Sequence, residues 1–154
     1  MKKLMLISLI TLSVGIVLVL TAGILRSITF DLTTFNPTTL NNAFTTVGYL
    51  IAVLSGVVFT GLVIVSVIKA GGESKKAILF SAVAAAVGLT LVLVAAVLGT
   101  IPATTWGTGT GTFNPNNGLM AAFNTIGYLV FTLSGVMLVA LTVAGVVKKE
   151  AGSK

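Results

Sequence analysis

The chain has 154 residues, of which 56 % are hydrophobic and only 8 % are charged. A soluble domain carries about 25 % charged residues, so this composition excludes a soluble surface and indicates one that faces lipid. The chain contains no cysteine and no histidine. That excludes disulfide bonds, a thiolate nucleophile and the commonest transition-metal ligand.

Four apolar stretches without a charged residue cover residues 4–25, 44–68, 77–98 and 119–147. Each is longer than the ~20 residues that a helix needs to cross a bilayer. None of them alternates between polar and apolar residues, as the strands of a membrane barrel would. The sequence therefore predicts an all-α membrane protein, a single domain with four transmembrane helices.

The basic residues are distributed unevenly between the ends of these stretches. Of the nine Lys and Arg residues, only Arg26 follows the first stretch; the others precede the first, separate the second from the third, or follow the fourth. The positive-inside rule places the larger group in the cytoplasm. We therefore expect a protein of the cell membrane with both termini and the Gly71-Gly72 loop inside, and outer loops at about 27–36 and 99–114.

The net charge of +6 is located where helices meet lipid headgroups, and no aromatic residues accompany the short basic clusters. This pattern indicates the lipid bilayer as a partner, and no nucleic acid.

Two parts of the sequence resemble each other. Residues 43–50 read Ala-Phe-Thr-Thr-Val-Gly-Tyr-Leu and residues 122–129 read Ala-Phe-Asn-Thr-Ile-Gly-Tyr-Leu, and Leu-Ser-Gly-Val occurs at both 54–57 and 133–136. The pattern predicts a tandem duplication of a helical hairpin, with repeats at about 4–69 and 77–148. Both copies would run from inside to outside and back, so we expect parallel repeats related by a pseudo-twofold axis along the membrane normal.

An Asn-Pro pair precedes each even-numbered helix, at Asn36-Pro37 and Asn114-Pro115. Asn is a good N-cap residue, and Pro is favoured at the first helical position. We therefore expect these helices to begin at Pro37 and Pro115. In the second copy, a turn followed by a break at residues 116–118 is equally consistent with the Asn-Asn-Gly sequence there.

Small residues recur on the predicted helices at a spacing that brings them to one face, where they allow close helix packing. The predicted helix-packing positions are Gly48, Ala52 and Gly56 on the second helix, Ala84 and Gly88 on the third, and Gly127 and Gly135 on the fourth.

Four polar residues have two interpretations. Thr45, Tyr49, Asn124 and Tyr128 would line the mouth of an uncharged pore, or the two tyrosines would belong to an aromatic belt at the outer headgroups, which is the favoured interpretation. The glycine- and threonine-rich segment 106–112 is expected to be flexible or strand-like, and it is interpreted as a loop and not as a nucleotide site.

No constellation of residues carries recognisable chemistry. The only acids, Asp31, Glu73 and Glu150, lie beside the predicted spans and far apart in sequence. The chain is therefore not expected to be an enzyme or to bind a metal or cofactor. The sequence favours a structural or assembly subunit, acting as a homo-oligomer or within a larger membrane complex. The alternatives are an uncharged, holin-like pore and a carrier for a lipid or another apolar ligand.

Overall fold

Each apolar stretch forms one continuous helix in the computed structural model, which describes residues 2–30, 37–69, 75–106 and 111–151. The helices are α1 (Lys2–Ser27), α2 (Pro37–Lys69), α3 (Lys75–Leu98) and α4 (Leu119–Ala151). All four are long and apolar enough to cross a membrane. The prediction of a helical protein with four candidate membrane spans is therefore confirmed, and each helix extends beyond the uncharged stretch that predicted it.

The helices pack as two hairpins, and the first hairpin packs against helix α4 of the second. α1 lies along α2, and α3 lies along α4. α4 also contacts both α1 and α2, so it joins the two hairpins. Among the described residues, the only helix with which α3 makes extensive contacts is α4. The bundle therefore has one helix at its edge that is covered along a single side.

The odd-numbered helices each bury one line of small residues against their partner. The line has a spacing of seven residues, which returns to nearly the same face of a helix after two turns. Its members are Ser8, Gly15 and Ala22 on α1 and Ser81, Gly88 and Ala95 on α3.

Both hairpins are closed by contact between backbones at a glycine. A Cβ added to Gly15 would lie 2.6 Å from the Ala52 nitrogen and 2.7 Å from the Gly48 oxygen. A Cβ added to Gly88 would lie 2.5 Å from the Phe131 nitrogen and 2.8 Å from the Gly127 oxygen. Neither site has room for a side chain, because the obstructing atoms belong to the backbone.

The core consists of two apolar clusters centred on α4. Near the start of α4, Ala122 and Ile126 pack against Val19 of α1. Further along α4, Met137 and Leu141 pack against α2 residues such as the buried Val63. α4 is thus the helix around which the rest of the bundle is arranged.

A small antiparallel sheet, in strand order β1-β3-β2, lies at the end of the bundle where α1 and α3 end. Its strands are β1 (Ile28–Phe30), β2 (Thr104–Trp106) and β3 (Gly111–Phe113). The two ends of segment 106–112 therefore lie in strands, one of the two conformations that its sequence indicated, and residues 107–110 lie outside the described residues. Strands of three residues are too short to show periodicity, and β1 pairs with a strand more than eighty positions away, Ile28 opposite Phe113.

The two even-numbered helices begin differently. α2 begins at Pro37, whereas Asn36 lies outside the described residues, as does the Gly71-Gly72 loop. In the second copy, Pro115–Asn117 form a separate 3-10 turn, and α4 begins after Gly118. The break at 116–118 is therefore present, and the alternative of a continuous helix from Pro115 is wrong.

Ser27 supplies the N-cap of α4 from the end of α1. Its Oγ accepts a hydrogen bond from the Leu119 N–H at 2.9 Å and donates one to the Gly23 carbonyl at 2.9 Å. Its own carbonyl accepts from the Asn114 N–H at 2.7 Å. These bonds satisfy amide groups that the start of a helix leaves without an intrahelical partner. They fasten the start of α4 to the end of α1.

Candidate functional site

A groove of about 470 Å³ lies between α2 and α4. Its polar lining consists of Tyr49 on α2 and Asn124, Thr125, Tyr128 and Thr132 on α4. Both tyrosine side chains are about half exposed, Tyr49 at 43 % and Tyr128 at 55 %. The groove is therefore open to the surface of the bundle and is not an enclosed channel.

Further along both helices, the lining of this groove is mainly apolar. Val53 and Val57 line it from α2, and Leu129 and Leu133 line it from α4, with Thr132 between the two leucines. The groove thus combines neutral polar groups at one end with mainly apolar walls at the other. None of its lining residues is charged, so the groove has no means of selecting an ion by the sign of its charge.

The polar side chains of the groove lack partners within the described part of the chain. No hydrogen bond joins the side chains of Tyr49, Asn124 or Tyr128 to any residue there. Serine and threonine hydroxyls elsewhere on the helices behave differently; for example, Thr90 and Thr142 donate to the carbonyl four residues earlier. Within the described residues, the groove therefore presents donors and acceptors that no other side chain uses.

Thr45 lies apart from the other three candidate pore-mouth residues. It lines a separate cavity of about 40 Å³ together with Arg26, Gly118 and Thr125, and its hydroxyl donates to the Asn41 carbonyl. Only Thr125 lines both this cavity and the groove. The structure therefore brings Tyr49, Asn124 and Tyr128 together and does not place Thr45 with them.

Arg26 is the one basic residue that the described part of the chain places at the end of the bundle where α1 ends. Its guanidinium donates to Asn42 Oδ1 at 2.7 Å while the side chain stays exposed. The neighbouring Asn41 is 3 % exposed, and its Oδ1 accepts no hydrogen bond. Asn41 does not line the small cavity, so these groups do not combine into one binding site.

A third cavity, of about 130 Å³, lies deeper and is almost entirely apolar. Leu9 and Leu12 of α1 face it from one side, and Phe80 and Ala84 of α3 face it from the other. Along α4, its lining falls between the two core clusters. The polar residues of its lining are Thr60 and Ser134, and the Ser134 hydroxyl donates to the Val130 carbonyl.

The predicted helix-packing residues fall into three groups. Gly48, Ala52, Gly88 and Gly127 lie in the backbone contacts that close the two hairpins. Gly56 contacts the other hairpin instead, through Leu133. Ala84 lines the apolar cavity. A Cβ on Gly135 would meet no atom of the described residues within 4 Å, so Gly135 lies in no close helix contact there.

Of the two predicted Asn-Pro caps, the one at Asn114-Pro115 lies entirely within the described residues. Asn114 caps the 3-10 turn, its side-chain oxygen accepting from the Asn116 N–H at 3.1 Å. Pro115 takes the first position of that turn and is fully buried. Asn114 therefore caps the turn, while α4 itself receives its cap from Ser27.

Sequence reasoning missed two features of the bundle. The seven-residue line of small residues could have been found, because Ser, Gly and Ala occur in the same order on both odd-numbered helices. The role of Ser27 as the cap of α4 could not have been found. A serine at the end of an apolar stretch carries no signal about a helix that starts about ninety residues later.

Within the described ranges, no group of three acidic, histidine or cysteine residues is placed to hold a metal ion. No family model matches the chain, and comparisons with curated proteins and with solved structures also find no match. The geometry of the chain itself is therefore the only basis for proposing a function.

Proposed function

We propose that this chain is a structural or assembly subunit of the cell membrane that works as a homo-oligomer or within a larger membrane complex. The observation that carries the proposal is the incomplete cover of the bundle. α3 packs extensively on α4 alone, and large apolar side chains remain exposed along it, such as Leu79 at 65 % and Val97 at 62 %. In a closed four-helix bundle, each helix has two neighbours.

The proposed orientation has both termini in the cytoplasm. Its support is the placement of Lys2, Lys69, Lys75 and Lys149 at one end of the helices and of Arg26 at the other. The chain has no cysteine, so single cysteines can report on the two ends. An impermeant thiol reagent applied to intact cells should label Ile101→Cys and leave Lys76→Cys unlabelled; the reverse pattern would exclude this orientation.

The proposal includes a duplicated origin for the two hairpins. The repeated sequence motifs support it, and so does the agreement between the contacts at Gly15 and at Gly88. A pseudo-twofold relation between the hairpins is less well supported. If such an axis were present, α3 would contact α2 as extensively as α1 contacts α4. Among the described residues, α3 and α2 do not make extensive contacts.

Binding of a lipid or another amphiphile is a second candidate function, favoured by the groove between α2 and α4. Its polar groups lie at one end, and its mainly apolar walls lie at the other, an arrangement that matches a neutral headgroup above an acyl chain. A pore has less support, because the groove is open to the surface of the bundle and the third cavity is almost entirely apolar.

The test is the mass of the purified particle in a mild detergent, combined with solute flux through liposomes that contain it. We expect a discrete particle larger than one chain and no flux of a small neutral solute above that of empty liposomes. A monomer with solute flux would refute the structural proposal in favour of a pore. A monomer without flux that retains co-purified lipid would support the second candidate.

A further inference from the structure

The two hairpins of the chain meet at a contact between a leucine and a glycine. A Cβ added to Gly56 of α2 would overlap with Leu133 Cδ1 of α4 and contact Leu12 Cδ1 at 3.5 Å. Leu133 thus packs directly over the surface that Gly56 leaves open. Close packing at a small residue is the main source of attraction between helices in lipid, because the surrounding acyl chains are as apolar as the side chains.

Both partners of this contact occur in each hairpin. Leu54 and Gly56 stand in the same Leu-Ser-Gly-Val sequence on α2 as Leu133 and Gly135 on α4. A symmetrical meeting of the hairpins would therefore include a second contact, between Leu54 and Gly135. That contact is absent: Leu54 is 67 % exposed, and a Cβ on Gly135 would have no atom of the described residues within 4 Å.

The contact between hairpins is therefore heterologous, since it uses the glycine of one hairpin and the leucine of the other. In a heterologous contact, each hairpin uses one of its two complementary surfaces and leaves the other one uncovered. Here the unused leucine lies on α2 and the unused glycine lies on α4. Exposed apolar side chains accompany each of them, Val58 beside Leu54 and Val139 beside Gly135, so both faces are apolar and uncharged.

We propose that these two faces join copies of this chain, with Leu54 of one copy packed on Gly135 of the next. The occupant is a second copy because the chain already makes the same contact internally, between the same residue types in the same local sequence. This inference rests on the proposed function and names its interface. Copies in a membrane share one orientation relative to the bilayer, so a repeated rotation about the membrane normal gives a closed ring of hairpins.

The test uses cysteine pairs, which this cysteine-free chain allows without background. Leu54→Cys and Gly135→Cys are made as separate chains and co-expressed, and the membranes are treated with a short bifunctional thiol reagent. Gly56→Cys with Leu133→Cys in one chain is the matched reference, because it reports the same kind of contact within the chain. The readout is the size of the cross-linked products on a denaturing gel.

We expect a dimer from the co-expressed pair and no dimer from either single variant alone. A chain that carries both Leu54→Cys and Gly135→Cys should give a ladder ending at the size of the ring. A dimer from Leu54→Cys alone would overturn the proposal, since it indicates a symmetrical contact. Absence of any product under conditions that cross-link the reference pair would also overturn it.

A second measurement separates this inference from the proposed function. Gly135→Leu should shift the purified particle to the mass of a monomer, whereas Leu6→Ala, at an exposed position of α1, should leave its mass unchanged. A particle that stays oligomeric with Gly135→Leu would refute this interface and leave the structural role intact. A wild-type chain that is monomeric in lipid nanodiscs would refute both.

Discussion

In the α1–α2 hairpin, Gly15 lies against the backbone of Gly48 and Ala52, and in the α3–α4 hairpin, Gly88 lies in the same way against Gly127 and Phe131. The surroundings of the two hairpins differ, however. Ala52 is 1 % exposed, while its counterpart Phe131 is 44 % exposed. The comparison teaches that closing a hairpin depends on backbone contact at one glycine, whereas the cover of the remaining faces depends on how the hairpins meet.

The largest expected effect tests the backbone contact at a glycine, which both hairpins have. Gly15→Val and Gly88→Val should each destabilise the fold by about 3 kcal/mol, because the new side chain meets backbone that cannot move without separating the helices. The measurement is the loss of helical circular dichroism during titration with a denaturing detergent. Gly61→Val is the control, since a Cβ there meets nothing within 4 Å. Equal midpoints for all three variants would contradict the shared mode of closure.

An intermediate effect tests the difference between the hairpins. Ala52→Phe should cost about 1–3 kcal/mol, because the side chain enters a fully covered site. The reciprocal change, Phe131→Ala, should alter stability by no more than about 0.5 kcal/mol, because the exposed ring is removed from the surface of the bundle. The same detergent titration measures both. Equal changes in stability for the two variants would contradict the claim that the site of Ala52 is covered and the site of Phe131 is not.

The smallest effect concerns the hydrogen bond between Ser27 of α1 and Leu119 of α4, which links the two hairpins. Ser27→Ala should cost about 1–2 kcal/mol, because it removes the acceptor of the Leu119 N–H at the start of α4. Ser13→Ala is the matched control: its hydroxyl donates only to the Leu9 carbonyl on an exposed face. Hydrogen exchange at Leu119 should rise in the first variant and stay unchanged in the second. Unchanged exchange in Ser27→Ala would show that the cap does not hold the two hairpins together.

The sequence by itself determined the four helices and their approximate ends. In lipid, a helix must satisfy its own backbone hydrogen bonds, so a span is a local property that length and polarity reveal. The Asn-Pro pairs and the Asn-Asn-Gly break are local signals too. They correctly limited the start of α4 to two alternatives, and the structure selected one of them.

Only the tertiary structure decided which faces of the helices meet. Gly56 and Gly135 have the same neighbours in sequence, yet one is covered by Leu133 and the other by no atom of the described residues. Side chains that face lipid and side chains that face another helix are equally apolar, so the pattern does not distinguish them. The bond from the Leu119 N–H to Ser27 likewise joins residues 92 positions apart. Contacts of this kind depend on the meeting of whole helices, which no local stretch of sequence encodes.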